Sequence, residues 1–166
     1  MRSGLVVAAF SLLVVSIGCG SQPTASSNPT SASASSRIPC ADIKAPHHAY
    51  VVVQHMSGDW IQRCLGFAPT YIDGQTIMDR SGIQYQVQYL EAGKAVCQVD
   101  LEPRQYRECV PPNSPRWALF IESQGRWSKA PGGYTDIQLG DGDALGWRYV
   151  RPEDQAPGSP PLPRRV

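Results

Sequence analysis

The chain has 166 residues, and its 15 Lys and Arg side chains are nearly balanced by 14 Asp and Glu side chains. This length is typical of one domain. Because positive and negative charges are nearly equal in number, we expect no basic face that could bind nucleic acid or anionic lipid headgroups. We therefore expect a single folded domain and no nucleic-acid partner.

The first residues have the organisation of a bacterial export signal. Arg2 precedes an apolar stretch over residues 5–17, which is shorter than the roughly 20 residues that cross a bilayer core. Residues 16–19, Ser-Ile-Gly-Cys, resemble the bacterial lipobox, with serine where leucine is usual. We expect residues 1–18 to be a signal peptide and Cys19 to be a lipid-modified N-terminus that holds the protein on the extracytoplasmic face of the cell membrane. An ordinary secretory signal is the alternative.

Low-complexity segments flank the predicted domain. Residues 19–36 are mostly small and polar, without periodicity or large apolar side chains, which is typical of a flexible tether. Residues 152–166 are rich in proline and lack core-forming side chains apart from Leu162, so we expect them to be disordered. The folded domain should therefore occupy residues 37–151.

Alternation of apolar and polar residues predicts a mainly β domain. Residues 83–89 alternate strictly, which places four apolar side chains on one face of a half-buried strand. Looser alternation predicts five more strands, at residues 49–55, 60–67, 95–99, 117–122 and 144–150. Glycine-containing turns at residues 57–59 and 124–125 should join neighbouring strands into two hairpins.

One segment interrupts the strand pattern. Thr70-Tyr71-Ile72-Asp73 resembles a helix capping box, and Gly82 suits the position after a helix end. We therefore predict a short helix over residues 70–81. The element order is then hairpin, helix, two strands, loop, hairpin and final strand, which is an α+β fold that is mainly β.

Four cysteines follow the predicted lipidation site. An even number of cysteines in an exported chain favours disulfides over free thiols or metal ligands, and the CxxC pairs of zinc sites do not occur. Four cysteines allow three connectivities, and the sequence does not choose among them. The preferred pairing joins Cys97 to Cys109, across a short segment that contains proline, and Cys40 to Cys64.

The last third of the predicted domain resembles a known family. The segments Ser114–Phe120, Gly125–Ser128 and Leu139–Tyr149 are similar to the ending of the transcobalamin C-terminal-like β-grasp domains of exported bacterial proteins. The cysteines look like those of the actinobacterial members, and the likeness covers roughly residues 50–150. It implies a ubiquitin-like β-grasp fold, in which a sheet wraps around one short helix. Residues 117–120 depart from the family, since they contain one tryptophan where relatives often have two.

The resemblance also implies a class of function. Animal members of the family close over cobalamin, and bacterial members are surface lipoproteins or occur near transport systems. We therefore expect a binding or interaction module for a small molecule of cobalamin-like type. The alternative is a structural or accessory envelope protein that contacts a protein partner, because likeness of fold does not transfer a ligand.

Aromatic side chains near the end of the domain form the candidate ligand site. Trp117, Trp127 and Trp147 lie on strands that should be neighbours, and Tyr134 is close to them in sequence. Aromatic faces supply a large contact area for a ring-bearing ligand. Core packing is the alternative, because residues 145, 147 and 149 alternate onto one face of a strand.

The sequence contains no recognisable motif for metal binding or catalysis. His47, His48 and His55 bracket the first strand near Asp59, but adjacent histidines on a strand point to opposite faces. The segment Gly140-Asp141-Gly142-Asp143 does not have the ligand spacing of a calcium loop, and GxSxG and HExxH signatures do not occur. We predict no metal, no cofactor and no enzymatic activity.

Overall fold

A mixed β-sheet of six strands organises the folded domain. The computed structural model describes residues 39–91 and 93–166; the predicted signal peptide, the lipidation site Cys19 and the tether lie outside these residues. The elements in chain order are β1 (Cys40–Ala41), β2 (His47–Gln54), β3 (Trp60–Phe67), β4 (Ile72–Asp73), α1 (Gly74–Arg80), β5 (Tyr85–Leu90), β6 (Gly93–Val99), β7 (Arg116–Ser123), β8 (Arg126–Lys129), a 3-10 turn (Tyr134–Asp136), β9 (Gln138–Leu139) and β10 (Ala144–Val150). The fold is α+β and mainly β, as the sequence predicts.

The centre of the large sheet pairs distant parts of the chain. Its strand order is β1-β3-β2-β10-β7-β8, and two smaller sheets pair β4 with β9 and β5 with β6. Strand β2 is antiparallel to β3 and parallel to β10, while β10 is antiparallel to β7. Residues 49–53 of β2 are buried without interruption, which is typical of a strand that is covered on both faces. Strands β2 and β10 therefore form the buried middle of the sheet.

The helix is shorter than the sequence predicts. It spans Gly74–Arg80 rather than residues 70–81, because Ile72 and Asp73 pair with Leu139 and Gln138 as a short antiparallel ladder. Asp73 is the N-cap, and its carboxylate accepts hydrogen bonds from the Thr76 amide at 2.8 Å and the Thr76 hydroxyl at 2.6 Å. These bonds hold the pKa of Asp73 below its ordinary value. The strand pairing and this N-cap together place the helix start at Gly74.

Helix α1 covers the first face of the sheet and completes the main core. Ile77 and Met78 are fully buried and join apolar side chains of β2, β3 and β10 in one cluster. Trp147 of β10 and Tyr134 of the 3-10 turn belong to the same cluster, with ring centroids 6.0 Å apart. The β5–β6 hairpin adds partly buried side chains at the margin, Tyr85, Val87 and Val96. The hairpin therefore closes one side of the core.

The C-terminal segment lies on the second face of the sheet, although the sequence predicts disorder for residues 152–166. The Gln62 side-chain amide donates to the Arg164 carbonyl at 2.6 Å, and its oxygen accepts from the Arg164 amide at 2.8 Å. Arg165 pairs with the fully buried Glu122 at 2.5 Å. Pro160 and Pro163 are buried in the same segment.

The second face explains why this segment is ordered. It carries the side chains of Tyr50, Phe120 and Trp127. Removing such apolar surface from water is favourable, and the segment does this by packing over it. A proline-rich chain loses little conformational entropy when it adopts one extended path. Its contacts are made to β-strands that are far away in sequence, so the composition of the segment alone indicates disorder while the folded sheet orders it.

The structure contains two disulfides, and their pairing is the one that the sequence analysis preferred. Cys40–Cys64 joins the edge strand β1 to β3, and Cys97–Cys109 joins β6 to the long connection that precedes β7. Within residues 39–91 and 93–166 there is no helix with the length and apolar composition needed to cross a bilayer.

Candidate functional site

A cleft of about 500 Å³ opens between the large sheet and the connection from β6 to β7. Aromatic side chains of β7 and β10 form its floor, and Pro103 and residues 105–111, with the Cys97–Cys109 disulfide, form a wall. This volume lies within the range of roughly 300–1,000 Å³ that small-molecule sites occupy. The cleft is therefore the candidate ligand site.

The pairing of two strands brings the aromatic floor together. Tyr149 is opposite Trp117 in the antiparallel ladder between β10 and β7, so both rings lie on one face, with centroids 4.9 Å apart and planes tilted by 40°. Trp147 lies two residues earlier on β10 and therefore on the same face. Its ring is only 3 % exposed, so Trp117 and Tyr149 provide the accessible part of the floor.

The two indole N–H groups of the floor already have partners. Trp117 Nε1 donates to the Glu102 carbonyl at 3.1 Å, and Trp147 Nε1 lies 3.3 Å from the Met78 sulfur. The floor therefore offers ring surface to a ligand rather than indole donors.

A covalent link holds the wall against the β5–β6 hairpin. Cys97 is buried at the centre of β6, and its bond to Cys109 folds the segment after Pro103 back over that strand. Tyr106 in this segment donates a hydrogen bond to Gln86 of β5 at 2.6 Å. The wall is thus tied to both strands of the β5–β6 hairpin.

His55 supports the turn that separates the cleft from a second recess of about 690 Å³. Its Nδ1 lies 2.8 Å from Glu102 Oε2, and its Nε2 lies 3.1 Å from Asp100 Oδ2. Each ring nitrogen of His55 therefore lies within hydrogen-bond distance of one carboxylate oxygen. Asp100 and Leu101 have φ angles of 47° and 64°, a left-handed conformation that non-glycine residues adopt at a cost. The His55 contacts offset this cost and hold the turn closed.

Tyr149 lines both recesses. Burial of its ring, together with the negative charge of Glu102, raises the pKa of Tyr149 above its ordinary value. Its hydroxyl therefore stays protonated at neutral pH and can donate a hydrogen bond.

The mouth of the cleft carries charged side chains of both signs. Arg107, Glu108 and Arg116 line it. Arg116 donates to the carbonyls of Asp154 at 3.0 Å and Arg151 at 3.5 Å. Among the residues that the structure describes, neither Arg107 nor Arg116 forms a salt bridge. The mouth therefore has an excess of positive charge.

The structure separates the four aromatic candidates from the sequence into three places. Trp117 and Trp147 line the cleft. Tyr134 is buried in the core, 2 % exposed. Trp127 lies on the second face of the sheet, where its ring is close enough to Gly146 that a Cβ there would approach it to 2.5 Å.

Sequence reasoning did not find the wall of the cleft. The alternation on β10 predicts that residues 147 and 149 lie on the same face of the strand. The preferred Cys97–Cys109 bridge predicts that the segment between these cysteines forms a closed loop. The contact of that loop with β7 depends on a strand order that local patterns do not contain. His55 could not be assigned for the same reason, since both carboxylates are 45 or more residues away.

The three histidines do not converge. His47 packs against Phe67 with ring centroids 5.5 Å apart, and His48 Nε2 lies 3.1 Å from the Ile43 carbonyl, while His55 lies between its two carboxylates. In the region covered by the coordinates, there is no group of three side chains with the geometry of a metal site. In the 140–143 segment, Asp143 accepts from the Gly140 amide at 2.8 Å, as in a tight turn.

No protein-family model matches the sequence, and no curated protein matches it. Among solved structures, the chain is similar to a protein from Ruminococcus gnavus described as a "putative metal binding protein", with 16% sequence identity and a TM-score of 0.45. The match covers 63% of this chain and 97% of that one.

Proposed function

We propose that this protein is a small-molecule-binding domain, held outside the cell membrane by a lipid on Cys19, and that the cleft over Trp117 and Tyr149 is its ligand site. The observation that carries the proposal is this pair of partly exposed rings at 4.9 Å, enclosed by a disulfide-held wall. Aromatic side chains in a preformed concave site bind ring-bearing ligands at low entropic cost. The proposal contains no catalytic step.

We also propose a β-grasp fold of the transcobalamin-like kind. In a β-grasp domain a sheet wraps around one helix, and three features support it here. The first hairpin β2–β3 precedes α1, the last strand β10 is inserted parallel to β2, and α1 packs on one face of the sheet. Together with the sequence resemblance, this topology makes a corrinoid the first ligand to test.

The experiment uses the mature chain without its lipid, residues 20–166, so that the C-terminal segment is retained. Thermal stability and tryptophan fluorescence are measured against cobalamins, other corrinoids and haem, with correction for absorbance by the ligand. A saturable shift that is lost in Trp117→Leu and Tyr149→Leu supports the cleft. Trp60→Phe is the matched control, because Trp60 packs against Arg164 outside the cleft. A shift that survives both cleft variants contradicts the assignment.

The lipid anchor is tested separately. In the full chain, Cys19→Ala should release the protein into the medium or block its processing. Retention of a cleaved Cys19→Ala protein in the membrane fraction would contradict a lipid anchor at this residue.

A second candidate function is that of an accessory envelope protein with a protein partner. The β5–β6 hairpin favours it, because Tyr89 is 75 % exposed and Leu90 is 44 % exposed. Contiguous exposed apolar surface is a mark of protein contact sites. This function is favoured if no ligand of the panel binds and if photo-crosslinking from position 89 labels one membrane protein.

A further inference from the structure

We propose that the ligand of the cleft has a flat ring system and carries one anionic group, and that Arg107 recognises that group. This inference rests on the proposed function, since it names the class of ligand for the same cleft.

The floor selects for a flat apolar ring. Its accessible surface comes from the rings of Trp117 and Tyr149, and the indole N–H of Trp117 is already bonded to the Glu102 carbonyl. A ligand that is rich in hydroxyl groups would find few partners on such a floor, while an aromatic ring gains stacking contact with it.

The mouth selects for negative charge. Arg107 is exposed at the mouth and forms no salt bridge within the described residues. Arg116 is half-buried and donates to backbone carbonyls, and no carboxylate in the described part of the chain forms a salt bridge with it. An anionic group at the mouth would form charge-assisted hydrogen bonds with Arg107 in the field of Arg116.

The same residues limit the charge that the ligand can carry. Glu108 is next to Arg107 at the mouth, so the local excess is one positive charge. The carboxylates Asp100 and Glu102 lie behind the neighbouring turn, where they contact His55. A single carboxylate or sulfonate matches this excess of one positive charge, whereas a polyanion would exceed it.

A matched pair of fluorescent probes separates ring binding from charge recognition. Anilinonaphthalene sulfonate and phenylnaphthylamine share one ring system, and only the first is anionic. Both are titrated into the mature chain, residues 20–166. Arg107→Ala should weaken the sulfonate about 3- to 5-fold and leave the neutral probe within about 1.5-fold, as expected for one exposed charge pair. Added salt should weaken only the sulfonate.

Arg104→Ala is the matched control. Arg104 is exposed in the same segment and lines the second recess but not the cleft, so its removal changes the net charge equally and should leave both probes within about 1.5-fold, since exposed charges act weakly over distance. Ser114→Trp should fill the mouth and weaken both probes. If circular dichroism shows that Ser114→Trp does not fold, Tyr149→Leu is used instead to test the floor of the cleft.

The outcomes distinguish the two levels of inference. If neither probe binds, or if the cleft variants leave both probes unaffected, the cleft is not a ring-binding site, and both the proposed function and this inference are wrong. If both probes bind in the cleft but Arg107→Ala and Arg104→Ala behave alike, the ring-binding function stands and the anionic class is overturned.

Discussion

Replacing Arg165 with alanine should destabilise the domain, because it leaves the Glu122 carboxylate buried without a counter-charge. The Glu122 side chain is fully buried on the second face of the sheet, and Arg165 Nη2 lies 2.5 Å from its Oε2. Its other carboxylate oxygen accepts from the Gly125 amide. In the Arg165→Ala variant, the Gly125 amide would be the remaining hydrogen-bond donor to the negatively charged Glu122 carboxylate among the described residues.

The size of the effect follows from burial. Removal of one partner from a buried ion pair costs about 3–5 kcal/mol. Arg165 is 40% exposed, so water can approach its vacated position, and we expect a smaller loss of about 2–3 kcal/mol in the free energy of unfolding. Arg164→Ala is the control, because the Arg164 guanidinium lies over the Trp60 ring at 5.2 Å in an exposed position and should contribute only about 0.5–1 kcal/mol.

Denaturant unfolding under non-reducing conditions, followed by tryptophan fluorescence, measures both variants. Glu122→Gln removes the buried charge while its amide oxygen can still accept from Gly125. In that background, Arg165→Ala should cost less than about 1 kcal/mol, since the two changes act on one contact. An equal cost in both backgrounds, or an Arg165→Ala loss no greater than that of Arg164→Ala, would refute the argument that a buried charge fastens the C-terminal segment.

Three further predictions concern the helix cap, the second face and the cleft wall. Asp73→Ala should lower the free energy of unfolding by about 1 kcal/mol at pH 7. The folded-state pKa of Asp73 lies below its ordinary 3.8, so the stability difference between wild type and variant should be fully present above pH 3.8 and should shrink as the pH falls through the lowered pKa. Gly146→Ala should cost about 1–3 kcal/mol by overpacking, since the new Cβ would lie 2.5 Å from Trp127. Replacing Cys97 and Cys109 with serine should cost about 3 kcal/mol and abolish probe binding in the cleft.

Each of these has a measurement that can contradict it. Asp73→Asn keeps the cap without the charge, so a pH dependence as large as that of the wild type would contradict the cap assignment. A Gly146→Ala protein as stable as the wild type in thermal unfolding would show that the Trp127 ring does not pack tightly on β10 at Gly146. Replacing Cys40 and Cys64 should lower stability while probe binding persists, because that bridge lies at the β1–β3 edge; equal loss of binding in both disulfide variants would contradict a specific role for the wall.

Local sequence pattern predicted the six longest strands because most of them bury one or both faces along their own length. Residues 60–67 and 144–150 have the predicted bounds in the structure. The even number of cysteines predicted two bridges for a similar reason, since it depends on composition and compartment. The helix start was misplaced because Ile72 and Asp73 pair with Leu139 and Gln138, more than 60 residues away, and no local rule contains that pairing.

The sequence by itself determined the α+β class, the six longest strands and the hairpin turns, because these depend on neighbours within a few residues. Only the tertiary structure decided the rest. It placed Trp127 on the opposite face from Trp117, brought the disulfide-held loop over β7 to make a cleft, and ordered the C-terminal segment through Gln62 and Arg164, 102 residues apart. Such contacts form only after the order of the strands is set, because each of them joins side chains or backbone groups that local patterns cannot bring together.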